Sequence, residues 1–169
     1  DPLTASLDAL RTTAKHRLDS LPDTLIQGLG DDRAAWLDLL LSHLIIPRLP
    51  TDALFVIHHY PAGQAALART DPTDAGFAER FEVFLHGVEL ANGFRELRDS
   101  AEQAARFATD RKRRELAGVQ DIVPDPRLLA ALEAGLPDCA GVAVGLDRIL
   151  LVTNQLADLR ATMSFAPAR

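Results

Sequence analysis

The spacing of apolar and polar residues changes several times along the chain, and each change predicts a different element. Residues 1–50 carry apolar side chains at helical intervals. From Leu54 to Tyr60 the chain is mostly apolar, as in a buried strand, and Pro61 ends that strand. From Phe81 onward apolar and polar residues alternate, which is the period of a half-buried strand. This order predicts an α+β fold in which helices pack on the faces of an antiparallel sheet.

Three helical segments are predicted in the first part of the chain. Thr4 is suited to cap the first, and Gly30 ends a short second one. Asp31 or Asp32 caps the third, which Pro47 stops. A helical insert of this kind usually covers a sheet, and nothing in it indicates chemistry.

The alternating stretch predicts a β-hairpin. Gly87 accepts the positive φ that a two-residue turn needs. A tight turn would place Phe84 opposite Glu89, and Glu82 opposite Ala91. Because side chains alternate between faces along a strand, Glu82 and Glu89 then share one face.

Two carboxylates on a face that should bury apolar groups repel each other unless a cation or a donor satisfies them. A divalent ion that carries phosphates is therefore one interpretation of Glu82 and Glu89. The alternative is an ordinary surface hairpin with both acids in water, which the spacing alone favours.

Two more helices follow the hairpin. Ser100 opens a capping box for a long helix that runs to Ala117. Asp125 and the proline after it start the next helix, which ends at Gly135. The basic run 111–114 could contact an acidic partner or RNA, but a solvated helix face is the more common role of such a run.

A second informative stretch lies near the end of the chain. Val142 and Val144 predict a short strand, and Gly141 and Gly145 leave a backbone bare enough for a flat ligand. Arg148 stands where that strand passes into a helix, a place that suits a phosphate group. A tight packing turn with a surface arginine would give the same pattern.

The His58-His59 pair suggests a metal site only at first sight. Adjacent strand residues point to opposite faces, so the two rings should not share an ion. No further cysteine, histidine or acid stands nearby at a ligand spacing. Structural or surface roles are the expectation for both residues.

Composition narrows the class of protein further. The 169 residues are 47% hydrophobic, enough for one domain with a sizeable core, and the net charge of −6 provides no overall basic field for nucleic acid. Cys139 is the only cysteine, so a reducing, cytoplasmic compartment is expected. We see no signal peptide and no apolar run near the roughly 20 residues of a membrane span. Because the first residue is Asp1 rather than Met, we expect a piece of a longer gene product.

Two stretches together resemble the catalytic domain of class II aminoacyl-tRNA synthetases of the lysyl type. The segment 141–148, Gly-Val-Ala-Val-Gly-Leu-Asp-Arg, resembles the third signature motif of that class. The segment 89–97, Glu-Leu-Ala-Asn-Gly-Phe-Arg-Glu-Leu, resembles the strand that lines the lysine pocket.

The similarity is closer still to a family of truncated paralogues, the elongation factor P lysyltransferases, which attach β-lysine to a lysine of that factor. The segments 88–94 and 137–143 carry this likeness. Ala143 occupies a position that is Gly in ordinary synthetases, which would alter the size of the amino-acid pocket. The resemblance extends over residues 1–169 and is strongest after Phe81.

The resemblance implies a set of nucleotide ligands. Glu82 and Glu89 would hold Mg²⁺ that bridges the ATP phosphates. Leu90 would contact ATP through its backbone, and Gly145 would lie under the adenine. Arg148 would clamp the γ-phosphate and act as the catalytic residue.

For the amino acid, lysine or β-lysine, the resemblance implies that Asn92 binds the carboxylate and Glu96 the side-chain ammonium. Strict alternation places these two residues on the face opposite Glu89. A bulge at Gly93 would bring all of them to one cleft.

The first and second motifs of the class, which supply the dimer interface and the arginine for the α-phosphate, are not found in these residues. By the order of the family they would precede Asp1. We therefore expect residues 1–169 to form the C-terminal part of one catalytic domain: a helical insert over 1–50, then sheet strands, the third motif and covering helices over 51–169. The complete protein would be a homodimer, and the 169 residues alone would form no adenylate.

Three functions follow from the resemblance. The first is ATP-dependent activation of lysine or β-lysine and its transfer to a lysine of elongation factor P. The second is a catalytic fragment of a lysyl-tRNA synthetase that acts on tRNA-Lys. The third is a non-catalytic paralogue that keeps the adenylate pocket only to sense a ligand.

Overall fold

A computed structural model describes residues 4–18 and 21–166 of the chain. It confirms the predicted α+β class, because four antiparallel strands form a sheet with helices around it. The outer ends of the predicted domain, 1–3 and 167–169, and residues 19–20 of the helical insert lie outside the described residues.

The α-helices are α1 (Leu7–Arg17), α2 (Asp23–Leu29), α3 (Arg33–Leu40), α4 (Ser100–Leu116), α5 (Pro126–Ala134) and α6 (Leu146–Thr153). The strands are β1 (Phe55–Pro61), β2 (Phe77–Leu85), β3 (Val88–Arg95) and β4 (Ala140–Val144). The sheet follows chain order, β1-β2-β3-β4, and each neighbouring pair is antiparallel. The connection from β3 to β4 carries α4 and α5, so the two informative stretches of the sequence become neighbours in the sheet.

The first three helices form a core of their own. Its fully buried centre is Trp36, whose indole N–H donates to the Gly30 carbonyl at 3.0 Å. The other buried members are Leu10, Ala14, Leu39 and Leu40. The helical insert is thus held by apolar burial, with the indole donor satisfied at its edge.

Two of the predicted helix starts are shifted by one or two residues. Ser6, not Thr4, caps α1, and its side chain accepts from the Ala9 N–H. Asp99, not Ser100, caps α4, because its carboxylate accepts from two backbone N–H groups of the first turn. A charged acceptor next to a hydroxyl is the stronger cap, since it also interacts with the helix dipole.

The predicted third helix is irregular at its end. The α-helical part stops at Leu40, and a π-helical turn (Leu41–Ile45) and a 3₁₀ turn (Ile46–Arg48) follow. Pro47 lies in the 3₁₀ turn, so the chain changes helix type before the proline rather than stopping at it.

The predictions for β1 were partly wrong. Only Tyr60 of this strand is buried. His58 and His59 do not point apart: their Nδ1 atoms are in contact, because His59 has a φ of 58° where the pairing with β2 shifts. Within residues 4–18 and 21–166 no group of three or more His, Cys, Asp or Glu side chains is placed to hold a metal.

The helices also bear on the basic run 111–114 and on the question of a membrane span. The basic run 111–114 is largely exposed, and Arg111 forms a two-point ion pair with Asp121. This agrees with a solvated helix face. None of the helices that the structure describes has the length and apolar character to cross a membrane.

Candidate functional site

The candidate site is built where β4 lies beside β3. Asn92 is paired with Ala143, and Phe94 with Gly141. The segment that resembles the third synthetase motif therefore lies directly against the segment that resembles the lysine pocket. The pairing places Ala143, the residue that departs from ordinary synthetases, next to Asn92.

The start of α6 closes back onto β3. The Gly145 N–H donates to the Leu90 carbonyl at 2.9 Å. Arg148 Nη1 donates to the Glu89 carbonyl at 2.8 Å and lies 3.5 Å from Glu89 Oε2. The Arg148 and Glu89 side chains remain 47% and 37% exposed, so they lie together on an open face. Four predicted nucleotide ligands are thus brought together: Glu89, Leu90, Gly145 and Arg148.

Glu82 lies in different surroundings from Glu89. It is 8% exposed, and its Oε2 accepts from the Tyr60 hydroxyl at 2.6 Å. Its Oε1 accepts from Arg80 Nη2 at 2.5 Å. The buried carboxylate therefore has a countercharge and a neutral donor, as a buried acid requires.

Both acids nevertheless influence the same phenol. Burial raises the pKa of Tyr60 most, and the hydrogen bond to Glu82 and the charges of Glu82 and Glu89 raise it further. Tyr60 is therefore a neutral donor over the whole physiological pH range. Glu82 and Glu89 therefore both lie near Tyr60.

The register of the hairpin explains how this happens, and it corrects one prediction. Phe84 is opposite Glu89 as predicted, but Glu82 is opposite Asn92 and not Ala91. The register shifts because Leu90 is an extra residue on β3 between these two pairs. The predicted bulge exists, but it lies at Leu90 rather than at Gly93.

The bulge has a direct consequence for the site. Residues that face each other across an antiparallel pair lie on one side of the sheet. Glu82 and Asn92 are therefore on the same side, whereas a regular β3 would have separated Asn92 from Glu89. An extra residue in a strand turns the chain beyond it to the other face. Here it brings the Asn92 amide to the face that carries Glu82 and Glu89.

Glu96 lies just beyond β3, where it forms an isolated bridge with Ala68. Its N–H donates to the Cys139 carbonyl at 3.0 Å. A Cβ atom on Gly141 would lie 2.9 Å from Glu96 Oε1, so the Glu96 carboxylate would have to move if a larger residue replaced this glycine. Glu96 is thus displaced along β3 from Asn92, at the opposite end from Glu89.

A cavity of roughly 140 Å³ adjoins Glu96 on the side of α4 and α5. Its walls are mostly apolar, but Gln103 also lines it. Gln103 is 2% exposed, and its Nε2 has no hydrogen-bond partner among the residues that the structure describes.

Sequence reasoning missed two residues of this site, Tyr60 and Arg80. Both contact Glu82, and the Arg80 guanidinium lies 4.5 Å from the Tyr60 ring centroid. A signal for Arg80 was available, because a residue two positions before Glu82 on a strand must share its face. No signal was available for Tyr60, since its approach depends on the pairing of β1 with β2.

Comparison with known proteins gives a consistent picture. Residues 41–169 match the family described as tRNA synthetases class II (D, K and N). A Klebsiella pneumoniae (strain 342) protein named elongation factor P--(R)-beta-lysine ligase is 42% identical over 170 residues, which cover 100% of this chain and 51% of that protein. Proteins of the same name from Proteus mirabilis (strain HI4320) and Photorhabdus laumondii are 44% and 41% identical over 98% of this chain and 50% of each relative. The chain spans about half the length of these curated relatives.

Proposed function

The chain belongs to the class II tRNA synthetases of the D, K and N group, and on that premise we propose that it is part of an ATP-dependent ligase. The ligase activates lysine or β-lysine as an adenylate and transfers it to a lysine of elongation factor P. The observation that carries this proposal is the contact of Arg148 with Glu89, which joins two motifs 59 residues apart into one face.

The proposed nucleotide ligands are on this face. Arg148 is exposed and already oriented by the Glu89 carbonyl, so its remaining N–H groups are available to the γ-phosphate of ATP. Gly145, which has no side chain, lies near Arg148 and would form the surface under the adenine. The Leu90 backbone would contact ATP, although its carbonyl already accepts from Gly145.

The acids fit a hard cation such as Mg²⁺. Magnesium in nucleotide sites is commonly held by one or two carboxylates, with water and phosphate oxygens completing the shell. Each Glu82 oxygen accepts one hydrogen bond and keeps a second lone pair, and the Glu89 carboxylate is partly open to solvent. Glu82 and Glu89 would hold the ion, which neutralises phosphate charge when bound.

The amino acid would lie along β3. Asn92 would bind its carboxylate, and Glu96 would accept from its side-chain ammonium. A carboxylate oxygen then attacks the α-phosphorus of ATP, and pyrophosphate departs with the electron pair of the broken P–O bond. In the second step the acceptor amine attacks the carbonyl carbon, AMP leaves, and the amine loses a proton. The residues of this chain bind and orient both anions rather than form a covalent intermediate.

The likeness of segments 88–94 and 137–143 to the elongation factor P lysyltransferases favours elongation factor P over tRNA as the acceptor, and Ala143 is part of that likeness. Ala143 lies opposite Asn92 in the sheet, so its methyl group borders the proposed carboxylate site. Ordinary synthetases, which the chain otherwise resembles, have glycine there. The relatives named as elongation factor P ligases support the same choice.

The test uses the complete product of the gene that encodes this chain. We expect ATP–pyrophosphate exchange that depends on lysine or β-lysine, and transfer of the labelled amino acid to elongation factor P but not to tRNA-Lys. Glu96→Gln should raise the KM for the amino acid about 100-fold or more, because the half-buried group that recognises the ammonium then has no charge and no longer matches it.

Glu133→Gln, an exposed change on α5, is the matched control and should leave the KM unchanged. Transfer to tRNA-Lys would support the synthetase alternative. Binding of ATP and lysine without exchange would support the non-catalytic alternative. Because the arginine for the α-phosphate is not found in these residues, we expect the 169-residue chain by itself to give no exchange.

A further inference from the structure

Arg80 is the most constrained side chain of the site. Besides its bond to Glu82, Nη1 donates to the Gln64 carbonyl at 2.9 Å, and Nε donates to Asn92 Oδ1 at 3.4 Å. The planar group also lies over the Tyr60 ring, and the side chain is only 18% exposed. Each nitrogen of the guanidinium thus has its own partner on a different element, which fixes the group in one orientation.

This contact determines which end of the Asn92 side chain faces Arg80. A guanidinium has only donors, whereas an amide has an oxygen acceptor on one side and an NH₂ donor on the other. The atom next to Arg80 Nε must therefore be the amide oxygen. The NH₂ group of Asn92 is then directed away from Arg80.

The opposite orientation would not suit the proposed ligand. A carboxylate accepts hydrogen bonds and donates none, so it needs the NH₂ group of Asn92 and would be repelled by its oxygen. An amide that is free to rotate would present the wrong atom part of the time. Arg80 removes that freedom before the ligand arrives.

Glu82 holds Arg80 in place for this task. Glu82 and Asn92 are direct partners across β2 and β3, so the guanidinium spans the two side chains on one face. Tyr60 holds the other carboxylate oxygen at 2.6 Å. The chain Tyr60–Glu82–Arg80–Asn92 therefore links the proposed metal ligand to the proposed carboxylate ligand.

We propose that Arg80 is a positioning residue for amino-acid recognition: it occupies the Asn92 oxygen and so directs the Asn92 NH₂ group to the carboxylate of the substrate. This inference rests on the proposed function, since it assigns the orientation of a group in that same site. Arg80 itself need not touch the amino acid.

The test measures ATP–pyrophosphate exchange by the complete gene product and its Arg80→Lys and Arg80→Gln variants. Lysine keeps the charge but lacks the fork, so it cannot donate to Glu82 and Asn92 together. We expect both variants to raise the KM for the amino acid about 10- to 100-fold, the range for a lost hydrogen bond to a charged group. The KM for ATP should rise clearly less than the KM for the amino acid, because Arg148 and Glu89, which have no contact with Arg80, still hold the nucleotide.

Arg69→Gln is the matched control. Arg69 is 27% exposed and donates to Glu79 at 2.6 Å, a comparable ion pair outside the site. We expect it to leave both KM values unchanged. A double-mutant cycle then separates positioning from a general structural role: in an Asn92→Ala background, Arg80→Lys should have no further effect on the amino-acid KM.

Three results would overturn the proposal: an unchanged amino-acid KM, an equal rise in both KM values, or full additivity with Asn92→Ala. If the wild-type enzyme shows no lysine-dependent exchange, the proposed function fails, and the orientation is read by NMR instead. The side-chain NH₂ signals of Asn92, assigned by their loss in Asn92→Ala, should shift in Arg80→Lys and stay in place in Arg69→Gln. Signals that do not move in Arg80→Lys would refute the contact itself.

Discussion

At the scale of single residues, three glycines of the site leave space for neighbouring atoms and are not needed for their backbone conformation. None of Gly93, Gly141 and Gly145 has a positive φ. A Cβ atom on Gly145 would lie 3.2 Å from Arg148 Cδ, and one on Gly141 would displace the Glu96 carboxylate. The Arg148 and Glu96 side chains thus pack against the backbone of Gly145 and Gly141, where no Cβ atom stands in the way.

Gly93 is the most crowded of the three. An added Cβ would lie 2.6 Å from Phe81 Cζ and 2.8 Å from the Gly141 carbonyl oxygen, and the second of these atoms belongs to the backbone. We expect Gly93→Ala to lower the free energy of unfolding by about 1–3 kcal/mol, because overpacking forces strands β3 and β4 apart. Urea unfolding of the complete gene product, followed by circular dichroism, measures the change.

Gly63→Ala is the control for this substitution. No atom lies within 4 Å of its added Cβ, and its φ is not positive. A stability equal to that of the wild type, or slightly above it, is expected there. Equal stabilities of the two variants would contradict the packing argument.

At the scale of elements, the sequence predicted the existence and the order of the strands better than it predicted the face to which each side chain points. Turn residues His86 and Gly87 adopt the positive φ values of 51° and 73° expected of a tight hairpin. The predicted position of the bulge, Gly93, is three residues too late, because alternation alone does not indicate where an extra residue interrupts a strand. In hindsight the adjacent apolar pair Leu90 and Ala91 was the available signal, since both are buried and a regular strand buries only alternate residues.

The proposed roles of Leu90, Asn92 and Glu96 were predictable only from the resemblance to class II synthetases. Spacing alone indicated Glu82 and Glu89, whose roles remain a proposal. The period of the strand indicates Arg80, because it lies two positions before Glu82. Nothing in the sequence indicates Tyr60, because the long-range pairing of β1 with β2 places it. The N-caps of α1 and α4 and the His58 contact were mispredicted for a similar reason, because neighbouring residues compete for one role and tertiary packing selects among them. The caps at Gly30, Asp32, Asp125 and Gly135 were predicted correctly.

An ion pair joins the end of β3 to the segment before β4. Arg95 Nε donates to Asp138 Oδ1 at 2.9 Å, and Arg95 Nη2 contacts Asp138 Oδ2. This pairing lowers the pKa of the Asp138 carboxyl below its ordinary value of 3.8. A carboxyl whose pKa is lower in the folded state stabilises the fold above its unfolded pKa, and that stabilisation is lost as the pH falls through the folded pKa.

We therefore expect Asp138→Asn to lower the melting temperature at pH 7, and we expect this deficit to shrink as the pH falls below 3.8 and the wild-type carboxyl takes up its proton. Melting curves from pH 2.5 to 7 measure this difference. Asp52→Asn, an exposed turn substitution, should leave the melting temperature unchanged at every pH. A deficit in Asp138→Asn that is as large at pH 2.5 as at pH 7 would show that the charge is not its cause.

At the scale of the whole molecule, the sheet ends in an exposed strand. All five residues of β4 are exposed. Val142 and Val144 are 54% and 47% exposed, and the adjoining helix α6 exposes Leu146 (75%) and Leu150 (45%). An apolar edge strand of this kind is a template for pairing with another chain.

We expect the purified 169-residue chain to self-associate through this edge. Sedimentation velocity should show a larger species that grows with concentration, and the double variant Val142→Lys, Val144→Lys should require at least about tenfold more protein to form it. Leu116→Lys replaces an apolar residue on α4 that is even more exposed, at 80%, and should sediment like the wild type. Self-association that is unchanged in the double variant would place the contact elsewhere.

Because Leu90 is an extra residue, the face to which each side chain of β3 points depends on the exact number of residues in the strand. Deleting any one residue between Glu89 and Asn92 would restore a regular strand and rotate one half of it by 180° relative to the other. The proposed phosphate and amino-acid groups would then point to opposite sides of the sheet, although every functional side chain would still be present. A variant of this kind would fold with a complete set of ligands and no common cleft, which point substitutions in the same strand cannot produce.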